Sequence, residues 1–337
     1  LNFGGNVGLH GKMDVLIEGF YDAKADARAS QTMKGVGIAP EGIENNPVMY
    51  ELLYELPWRA ERFTRNEWLK EYVQARYGKE DEVLQGAWKL LGDGIYNCPK
   101  EKTQQGTHES LFCARPGLDV WKASAWAESK DYYNPKEVME AARLMLSVAD
   151  KYKGNNNFEY DLVDVLRQAI AEKGRLTLKV VSAAYKAEDK ALFKQASERF
   201  LQLILLQDEL LGTRQEFRVG NWTDMARSIG NTPEEKNLYE WNARVQITTW
   251  GNRSASERGN LHDYAHKEWN GILKDFYFMR WKTYFDALTV TLEGKPLPAL
   301  DWYAIEEPWA KVSETYSAQP VGNCVEVAKK VYQKIFE

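Results

Sequence analysis

From about residue 63 to its end, the chain shows helical periodicity in almost every segment, and this pattern constrains the fold more than any other feature. Two capping boxes mark helix starts, Thr64-Arg-Asn-Glu67 and Thr232-Pro-Glu-Glu235, and Gly78 closes the first of these helices. The sequence contains no repeat of fixed period, which argues against a solenoid. A large all-α domain is therefore predicted over residues 63–337. Its further helices are predicted over about 79–93, 135–153, 157–185, 188–212, 233–250, 260–293 and 321–336.

Residues 1–62 have a different, α/β pattern. A short extended piece precedes the first glycines, and a weak amphipathic helix is predicted over about 11–24. Glycines alternate with apolar residues over 33–43, which is typical of a buried strand that ends at a loop, and Pro47 opens another helix. Two or three strands cannot close a barrel of eight. The chain also begins directly in a Gly-rich motif, so we expect it to be a piece of a longer protein with further strands.

Composition excludes some classes of function and permits others. The net charge of -5 gives no indication of binding to nucleic acid or to an anionic membrane, and no apolar run reaches a membrane span. The 12 Trp, 18 Tyr and 12 Phe permit stacking on sugar rings, although an aromatic core is the favoured explanation on composition alone. Cys98, Cys113 and Cys324 lack zinc-ligand spacing, and a Cys98–Cys113 disulfide is left open.

One carboxylate stands where barrel enzymes place catalytic groups. Glu41 follows Pro40 at the end of the predicted strand and precedes Gly42, which lets the loop turn tightly. Glu44 lies one turn away, and the residues alone do not separate the two. A loop glutamate without a role is the other interpretation.

Several polar and aromatic residues form candidate sugar contacts. Asn2 and Asn6 bracket the first Gly turn, and their amides suit sugar hydroxyls, although turn-forming Asn is more common. Trp250 ends one predicted helix, and Asn260 and Tyr264 lie four apart at the start of the next. An aromatic platform with polar tips suits a sugar, and an aromatic hinge between helices is equally consistent with the spacing.

The histidines do not indicate a metal site. His262 and His266 lie four apart on the predicted helix over 260–293, which is also a spacing of metal ligands. No acidic residue completes a His-Glu-x-x-His pattern, so surface or packing roles are favoured.

Several segments together resemble the α-N-acetylglucosaminidases, and the match runs from end to end. That family includes the lysosomal enzyme of heparan sulfate breakdown and bacterial relatives that act on mucin-type glycans. The segments that carry the resemblance are Leu1-Asn-Phe-Gly-Gly-Asn6, Gly37-Ile-Ala-Pro-Glu-Gly-Ile43, Tyr160-Asp-Leu-Val-Asp164 with Arg167-Gln168, and Ile247-Thr-Thr-Trp-Gly251 with Asp263-Tyr264.

The resemblance implies the C-terminal part of a catalytic (β/α)8-type barrel over residues 1–62, followed by the all-α domain over 63–337. It implies a retaining glycosidase that removes terminal α-linked N-acetylglucosamine, with Glu41 as the nucleophile in place of Glu44. The acid/base glutamate lies earlier in the family's barrel, in a stretch that this sequence lacks. The missing N-terminal part of the enzyme is therefore an expected partner, and no cofactor or metal is implied.

The resemblance also implies a sugar pocket in the cleft between barrel and helical domain, with Trp250, Asn260, Tyr264, Asn2, Asn6 and His108 as its candidate residues. The loop between Trp250 and Asn260 is longer than in the family, which leaves the preferred leaving sugar open. The expected location is secreted or periplasmic in bacteria and lysosomal in animals. The alternative function is that of a non-catalytic helical glycan-binding protein.

Overall fold

The structure, a computed structural model, describes residues 2–3, 8–40, 45–100, 109–125, 132–311 and 315–337. These residues are mostly helical, as the sequence predicts. Within them, no helix is both long and apolar enough to cross a membrane. The chain forms two compact units. The first comprises Leu1–His108 and Glu128–Ala169, and the second comprises Glu109–Ala127 and Ile170–Glu337.

The first unit contains two short parallel strands, β1 (Asn2–Phe3) and β2 (Ala39–Pro40), with Asn2 opposite Ala39 in the register. Parallel strands need a crossover connection, and here α1 (Met13–Ala25) and α2 (Ala29–Thr32) supply it. The predicted buried strand over 33–43 is wrong in extent. Residues 33–38 are exposed or half-buried, and among the residues that the structure describes the sheet has two strands, each of two residues.

Helices complete the first unit, and their ends follow local sequence signals. Thr64 and Glu67 form the predicted capping box, and Gly78 ends the same helix at φ 82°. The helices of this unit are α3 (Pro47–Glu55), α4 (Arg65–Tyr77), α5 (Glu82–Asp93), α6 (Pro135–Val148) and the first half of α7 (Asn156–Lys186).

The regular elements that the structure describes in the second unit are helices, joined by turns and loops. The capping box at Thr232 and Glu235 is confirmed at the start of its fourth helix. Its helices are the remainder of α7, α8 (Lys190–Leu211), α9 (Val219–Ser228), α10 (Pro233–Gln246), α11 (Phe278–Leu292), α12 (Trp302–Lys311) and α13 (Cys324–Phe336).

Two helix boundaries near the candidate site differ from the prediction. The helix expected to reach Trp250 ends at Gln246, and the helix expected from Asn260 begins only at Phe278, after one π-helical turn over Leu273–Tyr277. Asn260 and Asp263 have positive φ angles of 52° and 58°, which cannot continue a right-handed helix. Residues 247–272 are therefore a long, structured connection.

Aromatic side chains form much of both cores, in agreement with the explanation favoured on composition. In the second unit, Phe200 lies 4.5 Å from Trp281 and 5.2 Å from Phe112, measured between ring centres. All three cysteines are buried, and no disulfide joins Cys98 to Cys113.

Candidate functional site

Three of the predicted site residues lie outside the described residues: Glu41, Asn6 and His108. Asn2 is described only through its backbone, as the residue of β1 that pairs with Ala39. Their assignments as nucleophile and sugar contacts therefore stay predictions. The described residue that precedes Glu41 is Pro40, the last residue of β2.

Buried polar contacts fix the chain just after these segments, and the sequence analysis did not identify them. Asn46 adopts a left-handed conformation at φ 55° and accepts a hydrogen bond from the His10 backbone N–H at 2.9 Å. Its amide donates to the carbonyl of Gly8 at 3.2 Å. The Gln168 side chain accepts from the Leu9 N–H at 3.1 Å. Hydrogen bonds from Asn46 and Gln168 therefore fix the backbone of residues 8–10.

The His10 side chain is part of the same arrangement. It is buried, and its Nδ1 lies 2.8 Å from the Tyr132 hydroxyl. Burial, reinforced by the nearby Lys12 ammonium, lowers the pKa of His10 to about 3. A neutral ring is therefore packed there throughout the physiological range. In the sequence, the one feature that could have drawn attention to His10 is its place within a Gly-rich stretch.

The second unit brings Trp250 and Tyr264 together. Their ring centres are 4.8 Å apart with an angle of 50° between the ring planes. Trp250 is half-buried, and Tyr264 keeps 37% of its surface exposed. The two rings thus form an accessible aromatic surface suited to the apolar face of a sugar ring. Neither residue is helical: Trp250 was predicted to end one helix and Tyr264 to share a face of the next with Asn260, but both lie in the connection 247–272.

Backbone strain is concentrated in this connection. Trp250, Asn260 and Asp263 are three of the five described non-glycine residues with positive φ. Trp250 has φ 60° and donates its N–H to the Val245 carbonyl at 2.7 Å, the position where helices commonly end in glycine. Such conformations persist only where surrounding contacts enforce them, and they cluster at functional sites.

Buried charges supply the enforcing contacts. The Asp263 carboxylate lies 2.9 Å from the Arg280 guanidinium and 3.0 Å from Nδ1 of His262. The backbone N–H of Asp263 donates to the Thr248 carbonyl at 2.7 Å. Burial opposes the charged form of Asp263, but Arg280 and His262 together hold the pKa of this carboxyl below its usual range. Arg280 also contacts Glu306 at 2.9 Å. The residue next to Tyr264 is therefore fixed from within the core.

This network is the part of the site that sequence reasoning missed. The available signal was an arginine, Arg280, at an otherwise apolar position of α11, where a buried cation requires an acidic partner.

Asn260 is exposed. It lines a cavity of about 310 Å³ together with His262 and the segment 119–125. The prediction that His262 and His266 share a helix is wrong, since His262 lies in a turn and His266 in the irregular segment after it. His266 is fully buried, and its Nδ1 lies 2.9 Å from the Asp263 carbonyl. Over the described ranges, no cluster of three or more His, Cys, Asp or Glu residues could hold a metal ion.

Comparisons with known proteins agree along the whole chain. The family model described as the α-N-acetylglucosaminidase (NAGLU) C-terminal domain matches residues 68–334, and the model of the tim-barrel domain matches residues 1–60. Human α-N-acetylglucosaminidase is 32% identical over 342 aligned positions, which cover 99% of this chain and 44% of the human protein.

Solved structures give the same result. A family 89 glycoside hydrolase from Clostridium perfringens in complex with PUGNAc has a TM-score of 0.93 and 33% identity, covering 100% of this chain and 38% of its own. A variant of the Clostridium perfringens enzyme in complex with its substrate GlcNAc-α-1,4-galactose has a TM-score of 0.92 and 32% identity, covering 99% of this chain and 38% of its own. The chain thus spans less than half the length of these relatives.

Proposed function

The chain belongs to the α-N-acetylglucosaminidase family, and we propose that it forms part of a retaining exo-glycosidase that removes terminal α-linked N-acetylglucosamine from glycans. The observation that carries the proposal is the Trp250–Tyr264 pair, with its rings 4.8 Å apart on a strained connection that buried charges hold. This aromatic surface would receive the apolar face of the terminal sugar. The bacterial relative bound to GlcNAc-α-1,4-galactose supports the substrate class.

In this mechanism Glu41 is the nucleophile. Its carboxylate attacks the anomeric carbon, and the bond to the leaving oxygen breaks as an acid/base carboxyl gives that oxygen a proton. The same acid/base group then takes a proton from water, which cleaves the glycosyl-enzyme ester and returns the original anomeric configuration. Support comes from the Ala-Pro-Glu-Gly motif and from the position of Glu41 directly after β2, where barrel enzymes carry catalytic groups.

The acid/base group belongs, in this proposal, to the rest of the barrel, which acts together with this chain. Two strands of two residues each cannot close a barrel, and the relatives are more than twice as long. An open apolar cavity of about 360 Å³ between α1, α3 and residues 33–37 is consistent with further barrel elements packing there. We also propose that the barrel part ends near residue 62 and the all-α domain follows.

The test compares two carboxylates in the complete enzyme. Glu41→Gln should lower kcat on an aryl α-N-acetylglucosaminide by roughly 10⁴-fold or more. Glu44→Gln, three residues further along the sequence, is the matched control and should keep most of the activity. The activated leaving group departs with little acid assistance, so the loss reports the nucleophile.

A product analysis separates the nucleophile from other roles. With azide added, Glu41→Ala should regain turnover and release the β-glycosyl azide. Azide would take the place of the missing carboxylate and attack the anomeric carbon from the face opposite the α-linked leaving group. Full activity of Glu41→Gln would end the assignment. Sugar binding without turnover by the complete, unsubstituted protein would favour the alternative, a non-catalytic glycan-binding protein.

A further inference from the structure

One exposed tryptophan of the second unit lines the cavity beside the candidate sugar site. Trp121 keeps 49% of its surface exposed. It borders the cavity of about 310 Å³ that Asn260 and His262 line from the other side. That volume lies at the lower end of the range for ligand pockets, about 300–1,000 Å³. An aromatic side chain that borders a concave surface together with a few polar groups has the composition of a ligand pocket.

The segment that carries Trp121 is anchored from below. The buried Glu109 carboxylate accepts hydrogen bonds from the backbone N–H groups of Ala123 at 2.6 Å and Ser124 at 2.7 Å. The Lys122 ammonium donates to the Ala125 carbonyl at 2.6 Å and lies 4.8 Å from the centre of the Trp121 ring. The indole is therefore held on a fixed backbone, which reduces the entropy that ligand binding would cost.

The opposite wall belongs to the connection that carries Trp250 and Tyr264. Arg115, at the edge of the cavity, contacts Glu257 of that connection at 2.7 Å and Glu306 at 2.8 Å. His262 is held by Asp263 at 3.0 Å. Both walls are thus fixed by hydrogen bonds and by the ion pairs of Arg115, and one wall belongs to the stretch of chain that bears the paired rings.

We propose that Trp121 is the stacking platform for the sugar that follows the terminal N-acetylglucosamine, with the Asn260 amide and the Lys122 ammonium as hydrogen-bond donors to its hydroxyls. This inference rests on the proposed function and names its substrate class as glycans with a saccharide leaving group. A pyranose offers a flat C–H face to the indole and a polar rim to the donors, which matches the mixed lining of the cavity.

The experiment uses the complete enzyme with two substrates. Trp121→Ala should lower kcat/KM on GlcNAc-α-1,4-galactose about tenfold, and Trp121→Phe should retain most of it, since a ring remains. On α-N-acetylglucosaminyl fluoride, which has no leaving sugar, both variants should stay within about twofold of the parent enzyme. Trp241→Ala is the matched control, because Trp241 is 42% exposed in the same unit and does not line the cavity.

The outcomes separate the two proposals. Equal losses on both substrates, or no loss on the disaccharide, would overturn the role of Trp121 while leaving the glycosidase assignment intact. Absence of turnover on the fluoride by the parent enzyme would instead end the proposed function and this inference with it. Disaccharide binding to the Glu41→Gln variant, measured by calorimetry, gives a second readout, and Trp121→Ala should weaken it without changing the affinity for free N-acetylglucosamine.

Discussion

Arg280 lies fully buried between two carboxylates, Asp263 and Glu306, each 2.9 Å from the guanidinium. It also donates to the Cys113 carbonyl at 3.1 Å. An isolated buried charge is far less favourable than a paired one, so each member of this group depends on the others. Since Asp263 stands between His262 and Tyr264, the stability of the core and the geometry of the candidate site share these contacts.

Replacing Arg280 with methionine should therefore destabilise the chain by about 3–5 kcal/mol, because the buried Asp263 carboxylate loses its arginine partner and the buried Glu306 carboxylate keeps only Arg115. Urea unfolding followed by circular dichroism measures the change. Lys282→Met is the control on the same helix. Lys282 pairs with Asp286 at 2.6 Å, but both side chains are exposed, and removal of such a pair changes stability by about 0–1 kcal/mol. Similar effects of the two substitutions would contradict the structural role of Arg280.

His10 gives a pH-dependent prediction. Its pKa is about 3 in the folded chain and 6.5 unfolded, so between these values the unfolded state binds the additional proton. Stability from the neutral ring is complete above pH 6.5 and is lost as the pH falls toward 3. From pH 7 to pH 5 the parent chain should lose on the order of 2 kcal/mol more than His10→Gln. Equal pH dependence in unfolding titrations of the two proteins would refute it.

At the scale of elements, helix α7 packs closely against the Phe112 ring at Gly174, which has no side chain. A Cβ at Gly174 would lie 2.4 Å from Cε1 of Phe112, whose ring is buried against Phe200. Gly174→Ala should therefore destabilise by about 1–3 kcal/mol through overpacking, although alanine favours the helix.

The matched control is Gly86→Ala in α5, where a Cβ would come no closer than 3.9 Å to Leu144. Alanine should stabilise there by about 0.5–1 kcal/mol through its helix propensity. Thermal unfolding of both variants gives the comparison, and a stabilising Gly174→Ala would show that Phe112 moves aside easily.

Local sequence signals predicted the helix ends correctly where a capping box or a terminal glycine is present. The boxes at Thr64 and Thr232 form as predicted, and Gly78 ends its helix in the left-handed conformation. The failure over residues 247–272 has a physical reason. Helices were predicted up to Trp250 and from Asn260 onward, but Trp250, Asn260 and Asp263 take positive φ there. The contact that holds Asp263 comes from Arg280, and no local pattern records such a contact.

The candidate site shows the same division. The pairing of Trp250 and Tyr264 could be anticipated from their closeness in sequence, and the geometry now brings their rings to 4.8 Å. The contacts that make this possible, from Asp263 and Arg280, join residues far apart in the chain. Trp121 could not be identified as a candidate from the sequence either, because the exposure of its side chain depends on how residues distant in sequence pack.

At the scale of the whole molecule, the compact units and the matched family models divide the chain differently. The barrel model matches residues 1–60, whereas the first unit continues through α4, α5 and α6. Within that unit, ionic contacts join the two sides of residue 62: Asp14 lies 2.7 Å from Arg65, and Glu51 lies 2.7 Å from Arg76. The buried Trp68 donates its indole N–H to Glu55 at 2.7 Å.

A chain that begins at Phe63 should consequently lose stability unevenly. Helix α4 would expose the face that now packs on α1, while α8 and α11 of the second unit keep all their mutual contacts. Hydrogen exchange followed by mass spectrometry should find α4 and α5 exchanging at least tenfold faster than in the parent chain, with α8 and α11 unchanged. Uniform acceleration across both units would mean that the chain unfolds as one cooperative body. Unchanged exchange in α4 would mean that the helical part stands alone from residue 63, so that the boundary between the matched models is also the boundary of folding.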